Sequence, residues 1–156
     1  MKVKLLTMGK TDVPWVREGL ELYVSRLVHY VPFTLQEIPQ LKKAGALSAP
    51  QIKEKEGELL LAAVKPSDEV ILLDEHGRRM RSLEFADFIG ERLLRGRDLV
   101  FIVGGAYGFG EKVRSRADGA VSLSMMTFSH QMVRTVFAEQ LYRAFTIIKG
   151  EPYHNE

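Results

Sequence analysis

Leu99-Val100-Phe101-Ile102-Val103, running directly into Gly104-Gly105-Ala106-Tyr107-Gly108-Phe109-Gly110, is the stretch whose reading decides the fold. Five consecutive apolar residues, three of them β-branched, read as a strand covered on both faces, and that is the mark of a parallel sheet. The four glycines among the next seven residues give the backbone freedom to turn sharply and to let a ligand approach closely. Packing alone does not call for them. A second strand of the same kind occupies residues 69–74, where Val70-Ile71-Leu72-Leu73 is continuous. Val3–Met8 stops at Gly9, Phe33–Ile38 alternates between Pro32 and Pro39, and residues 120–123 form a short fifth strand.

Helical spacing fills the intervals. Val16, Leu20, Tyr23, Val24 and Leu27 recur on one face behind Pro14, with Asp12 as the expected cap. Ser48 should cap a second helix with Pro50 in its first turn, facing inward through Ile52, Leu59, Leu60 and Ala63, with residues 53–58 as its wet side. Ser82 should cap a third, apolar at Phe85, Phe88, Ile89 and Leu93 and ended by Gly96. Residues 111–118 suggest a short helix. Residues 130–149 form the last and best one, with Val133, Val136, Phe137, Leu141, Ala144, Phe145 and Ile148 in a stripe and Gly150 as its stop. Residues 40–50 lack a period and read as a loop. Strands alternating with helices imply a single α/β domain over residues 1–156, its sheet mainly parallel and covered by helices on both faces.

Composition narrows the function classes. The 156 residues are 46% apolar and 27% charged, as in a soluble globular chain, and no cysteine is present. A disulfide framework and a thiol nucleophile are therefore excluded. Charge follows Met1-Lys2-Val3-Lys4 too early for a signal peptide, and no apolar run approaches membrane-spanning length, so no membrane association is expected and the cytoplasm is the expected compartment. Net charge is +2, all of it arising beyond residue 74, where twelve basic residues face ten acidic ones. Arg78, Arg79, Arg81, Arg92, Arg95, Arg97, Lys112, Arg114 and Arg116 could meet phosphates. Spacing alone favours an ordinary solvated face, because Glu84, Asp87, Glu91, Asp98, Glu111 and Asp118 are interleaved.

In an open α/β sheet a ligand sits beyond the carboxyl ends of the strands. Three loops there are distinctive: Asp74-Glu75-His76-Gly77, the glycine loop, and Ser124-Met125-Met126-Thr127-Phe128-Ser129. The glycine loop matches neither phosphate motif. Counted from Gly105, a Walker A loop would need Lys at the position of Glu111, and the dinucleotide fingerprint from Gly108 would need Gly at Val113. An uncharged loop beside Tyr107 and Phe109 better suits an adenosine-like group than a triphosphate. His29, His76, His130 and His154 have no metal-ligand spacing, so no metal is expected.

Taken together, several motifs carry a resemblance. These are Phe101-Ile102-Val103-Gly104-Gly105-Ala106-Tyr107-Gly108, the run Ser122-Leu123-Ser124-Met125-Met126-Thr127-Phe128-Ser129-His130-Gln131-Met132-Val133-Arg134, Glu139-Gln140-Leu141-Tyr142-Arg143-Ala144 and Pro152-Tyr153-His154. With Trp15, Lys55-Glu56-Gly57 and Leu72-Leu73-Asp74, the chain resembles, over essentially its whole length, the bacterial large-subunit ribosomal RNA pseudouridine N3-methyltransferases of the SPOUT superfamily. The resemblance implies a homodimer with a C-terminal trefoil knot that binds S-adenosylmethionine and methylates N3 of a pseudouridine in 23S rRNA on the assembled ribosome. It places cofactor contacts at Leu73, Gly104, Gly105, Leu123, Ser124, Met125, Met126, Thr127, Phe128 and Ser129. The 123–128 backbone would face the adenine, and the glycine loop the ribose and methionine. It also implies that the tail or a basic patch of one subunit completes the site of the other.

Methyl transfer to a ring nitrogen asks mainly for alignment and exclusion of water, yet an imide N3 carries a proton that must leave. His130, Arg134, Tyr153 and His154 are the candidate catalytic groups, with His130 and Arg134 at i, i+4 on one helix. Tyr153-His154 could stack on an extruded base. The family commonly continues that pair with a basic residue, whereas Asn155 and Glu156 follow here, which moves weight onto Arg134. Two alternatives remain: a non-catalytic ribosome- or RNA-associated α/β protein, which would not need the glycine loop, and a nucleotide-binding oxidoreductase, which would need the missing fingerprint.

Overall fold

The computed structural model describes residues 1–42 and 44–156; Lys43, within the 40–50 stretch read as a loop, lies outside the described residues. The strands are β1 (Val3–Met8), β2 (Phe33–Ile38), β3 (Glu69–Arg79), β4 (Leu99–Val103) and β5 (Gly119–Ser122). They form one sheet in the order β2-β1-β4-β3-β5, and every pairing is parallel. Parallel neighbours need crossovers, which the helices supply. These are α1 (Pro14–Leu27), α2 (Ala49–Ala62), α3 (Ser82–Arg95), α4 (Glu111–Arg116) and α5 (Met132–Ile148).

The apolar runs of β3 and β4 divide between two cores because alternate side chains point to opposite faces. Leu99, Phe101, Val103 and Ile71 join Leu20, Phe85, Ile89, Phe137 and Leu141 on the face covered by α1, α3 and α5. Val100, Ile102, Val70 and Leu72 join Leu60, Phe109 and Val113 on the face covered by α2 and α4. Both faces carry helices, as the continuous runs required. No helix of the described residues is long and apolar enough to cross a membrane.

Local differences from the sequence reading have identifiable causes. Ser48 does cap α2, in a reciprocal box with Gln51, and Pro14 does open α1. Asp12 does not cap α1; the N-cap is Val13, with no side-chain hydrogen bond. At α3 the capping bond runs the other way, with Arg81 N–H donating to Glu84 at 3.0 Å, so Ser82 is already helical. α5 starts at Met132 and not at His130, its first N–H donating to Ser129 Oγ at 3.0 Å. The largest difference lies in β3, which continues through the 74–77 stretch read as a loop. Leu73 and Arg78 both register with Val121, so the residues between them form a bulge that arches over β5.

Candidate methyl-donor site

Beyond the carboxyl ends of β3, β4 and β5 lies a cavity of about 600 Å³. Its walls are the three stretches singled out above. Leu73, Asp74, Glu75 and His76 come from β3 and its bulge, residues 103–109 from the end of β4 and the glycine loop, and Leu123, Ser124, Met126, Thr127, Phe128 and Ser129 from the segment after β5. His130 and Val133 close it from the start of α5. Of the ten expected cofactor contacts, nine line this cavity. Met125 does not. Its side chain is 71% exposed, and its sulfur accepts from Arg79 Nη1 at 2.8 Å.

The cavity is shaped by close backbone approach. Gly104 packs so tightly that a Cβ there would sit 3.2 Å from Gly108 O and from the Phe109 ring. Gly108 has φ of +80°, which favours glycine, and its N–H donates to Gly105 O at 3.0 Å to close the turn. Ser122 Oγ donates to Ser124 O at 2.8 Å, and Ser124 Oγ accepts from Met126 N–H at 2.9 Å, fixing the wall after β5. Thr127 donates its hydroxyl to Glu75, tying that wall to the β3 bulge. The surface that results mixes apolar side chains such as Leu73, Val103, Leu123 and Phe128 with polar ones such as Ser124, Thr127 and His130, suited to a flat purine and a thioether-like chain. Glu75 and Asp74 supply the only carboxylates on its walls. Such groups suit a donor that carries positive charge on sulfur and nitrogen.

Arg114, read only as part of a basic patch, also lines this cavity and bonds Asp74 Oδ2 at 2.7 Å. Burial raises the Asp74 pKa, but the His76 N–H and Arg114 outweigh it and hold the carboxyl below its ordinary range. Half of the remaining patch is held by acids: Arg92 and Arg95 pair with Glu69, Lys112 with Glu54 and Glu58, and Arg116 with Asp118, while Arg78, Arg79 and Arg81 stay exposed. The reading as a solvated, paired face fits Arg92, Arg95, Lys112 and Arg116. Among the described residues no three His, Asp or Glu side chains gather where they could hold a metal ion.

The four catalytic candidates separate. His130 lines the cavity, and burial followed by the charge of Arg134 lowers its pKa, which favours the neutral imidazole. Arg134 is a correction. Its side chain is wholly inaccessible, and it donates to Met8 O at 2.8 Å, Gly9 O at 2.9 Å, Thr11 Oγ1 at 2.8 Å and His130 O at 2.9 Å. Glu37 lies 3.4 Å away. A guanidinium so committed faces the end of β1 and not RNA. The i, i+4 relation to His130 is real, but it is a side-chain-to-carbonyl bond and not a shared outer face.

Tyr153 and His154 do not line this cavity. Tyr153 donates to Glu139 Oε1 at 2.9 Å and packs edge-on against Tyr142, while His154 Nδ1 sits 3.0 Å from Arg143 Nη1. Burial and the hydrogen bonds with Tyr23 and Glu139 raise the Tyr153 pKa, so within its own chain it is a donor and not a base. The tail thus docks on the outer flank of α5. Sequence reasoning also missed Glu56, half-buried beneath Gly105 and not on the wet side of α2. Its spacing was the available signal, because Ile52, Glu56 and Leu60 stand four apart on one face.

The comparisons agree with this geometry. The family model described as "Predicted SPOUT methyltransferase" matches residues 1–154. The chain is 51% identical, over 99% of each sequence, to a protein of Christiangramia forsetii called "Ribosomal RNA large subunit methyltransferase H". It is 48% identical over the full length of both sequences to proteins of that same name from Parabacteroides distasonis and Bacteroides thetaiotaomicron. With a match that runs from the first strand to the tail and leaves no element outside it, the chain belongs to the SPOUT methyltransferase family.

Proposed function

We propose that this enzyme uses S-adenosylmethionine to methylate N3 of a pseudouridine in 23S rRNA on the assembled ribosome, working in the cytoplasm as a homodimer whose whole chain is one knotted methyltransferase domain. The observation that carries the reading is the convergence of Leu73, Gly104, Gly105 and the 123–129 wall on one cavity of about 600 Å³. Relatives at 48–51% identity bear the name of a large-subunit rRNA methyltransferase, which supports the substrate class.

When bound, the cofactor supplies an electrophilic methyl group on a sulfonium. The chain does the rest. The glycine loop and the 123–129 wall orient the donor and exclude water, which supplies the alignment on which an in-line transfer depends. Glu75 would oppose the positive charge of the donor, and His130 lines the same cavity. Tyr153 and His154 lie outside the cavity of their own chain, which supports a role for them in the partner's site, stacking on the extruded base.

Calorimetric titration with S-adenosylmethionine tests the donor, with one site per chain expected. Mass spectrometry of 23S rRNA from a strain lacking the gene tests the acceptor, with one methyl missing at one nucleotide. Absence of donor binding, with direct binding to ribosomes retained, would favour the non-catalytic alternative.

A further inference from the structure

A second cavity, of about 310 Å³, lies beside the carboxyl end of β1. Met8, Leu41 and Ile52 give it apolar walls, and Gln40, Glu56 and His130 are its polar side chains. Gly105, Ala106, Tyr107 and His130 border this cavity and the larger one alike, so a single loop and one imidazole stand between them.

Glu56 is the unusual wall residue. Its Oε1 is shut off from solvent and has no hydrogen-bond partner, a costly state for a carboxylate oxygen that rotation of the carboxyl toward an N–H donor in the cavity would relieve. The carboxylate lies flat against Gly105, where a Cβ would fall 2.7 Å from both of its oxygens. No cation reaches it among the described residues, and Lys112 of α4 pairs with Glu54 and Glu58. Burial also raises its pKa, strengthening it as a proton acceptor. Apolar walls around one unpartnered acceptor fit a flat body that offers an N–H.

Resting on the methyltransferase reading above, we propose that this smaller cavity is the acceptor subsite, which takes the imide edge of the target base, and that the Glu56 carboxylate receives the proton of the methylated nitrogen. The N–H bond breaks with its proton passing to Glu56, the nitrogen electron pair forms the new N–C bond, and the C–S pair stays on sulfur. A sulfonium cation and a carboxylate anion thereby become a neutral thioether and a neutral acid. Charge is cancelled inside a low-dielectric space, which favours the step. Glu56 then returns its proton to water when the product leaves.

The test compares wild type with Glu56→Gln and Glu56→Asp on three readouts: calorimetric binding of S-adenosylmethionine, single-turnover transfer to unmethylated ribosomes at saturating donor, and saturation-transfer NMR with free pseudouridine. Glu56→Gln should bind the donor within about threefold of wild type, melt no lower, and transfer methyl about 10²–10⁴-fold more slowly, the usual loss for a general base. Glu56→Asp should recover part of the rate. Pseudouridine should give a saturation-transfer signal with wild type that disappears in Leu41→Trp, which fills the cavity. Weakened donor binding with unchanged transfer from the bound donor would overturn the proposal by assigning Glu56 to the donor's ammonium. Unchanged transfer in Glu56→Gln would overturn it as well. If Glu56→Gln does not fold, Glu56→Asp and Leu41→Trp decide on the same readouts. Failure of wild type itself to bind the donor would instead overturn the methyltransferase reading.

Discussion

Arg134 shows how a single side chain changes role once its surroundings are known. It stands three and four residues before Phe137 and Ala138 and seven before Leu141, which puts it on the buried stripe of α5. There its guanidinium gathers the carbonyls that end β1, and that junction borders the smaller cavity through Met8. Arg134→Leu should lower the unfolding free energy by about 3–5 kcal/mol in urea denaturation, because several buried acceptors lose their donor at once. A catalytic, RNA-facing arginine would instead leave stability unchanged. Gly105 is the complementary case, a position where a missing side chain matters. Gly105→Val should abolish donor binding in calorimetry, since its branched side chain enters the space both cavities share and its Cβ, 2.7 Å from the Glu56 carboxylate, displaces that side chain.

Among elements, the β3 bulge links fold to site most directly. Gly77 crosses β5 so closely that a Cβ would lie 2.7 Å from Ala120 C and Val121 N. Those are backbone atoms with no rotamer to escape into. Gly77→Ala should therefore separate β3 from β5, lowering stability by about 1–3 kcal/mol, as overpacking typically does. It should also weaken donor binding at least tenfold, because β5 leads directly into the 123–129 wall. A thermal melt and a calorimetric titration on the same variant check both. A melting loss with donor affinity intact would show that the wall is held by Thr127 and Glu75 rather than by strand pairing.

For the whole molecule, pH acts through groups spread over the sheet edge. Glu37, Asp74 and Asp98 all titrate below their ordinary values. Burial opposes the shift at Glu37 and Asp74, and hydrogen bonds and arginines win; at Asp98 the Lys2 N–H leads. Their stabilisation is complete above the unfolded carboxyl pKa, about 4, and is lost as pH falls through the folded values. His130, also lowered, adds a loss that begins below about pH 6.5, where the unfolded chain takes up a proton first. Glu56 has the opposite sign, since its raised pKa favours folding at low pH and less so as pH rises. The urea midpoint should therefore fall from pH 7 to pH 4, and Glu37→Gln should flatten the lower part of that curve. At the same scale, the tail's docking outside its own cavity makes complementation informative. Mixing inactive Gly105→Val with inactive His154→Ala and reassembling them should restore part of the methyl transfer if tails act across a dimer. No recovery would place the tail's action within its own chain.

The amino-acid pattern alone fixes the order of elements, the parallel sheet and the end of the sheet at which the larger cavity lies, because apolar runs in β3 and β4 require cover on both faces and strand-end loops have only one side of the sheet on which to meet. That Leu73, Gly104, Gly105 and most of residues 123–129 line one cavity was legible for that reason and through family motifs. Met125 turns its side chain away from the cavity toward Arg79, because neighbours in a turn point in different directions. Tertiary structure alone decided that Arg134 is enclosed, that Tyr153 and His154 lie along α5, and that Glu56 is tucked under Gly105. These outcomes depend on which distant backbone atoms a side chain meets, and helical spacing specifies a face without naming what covers it.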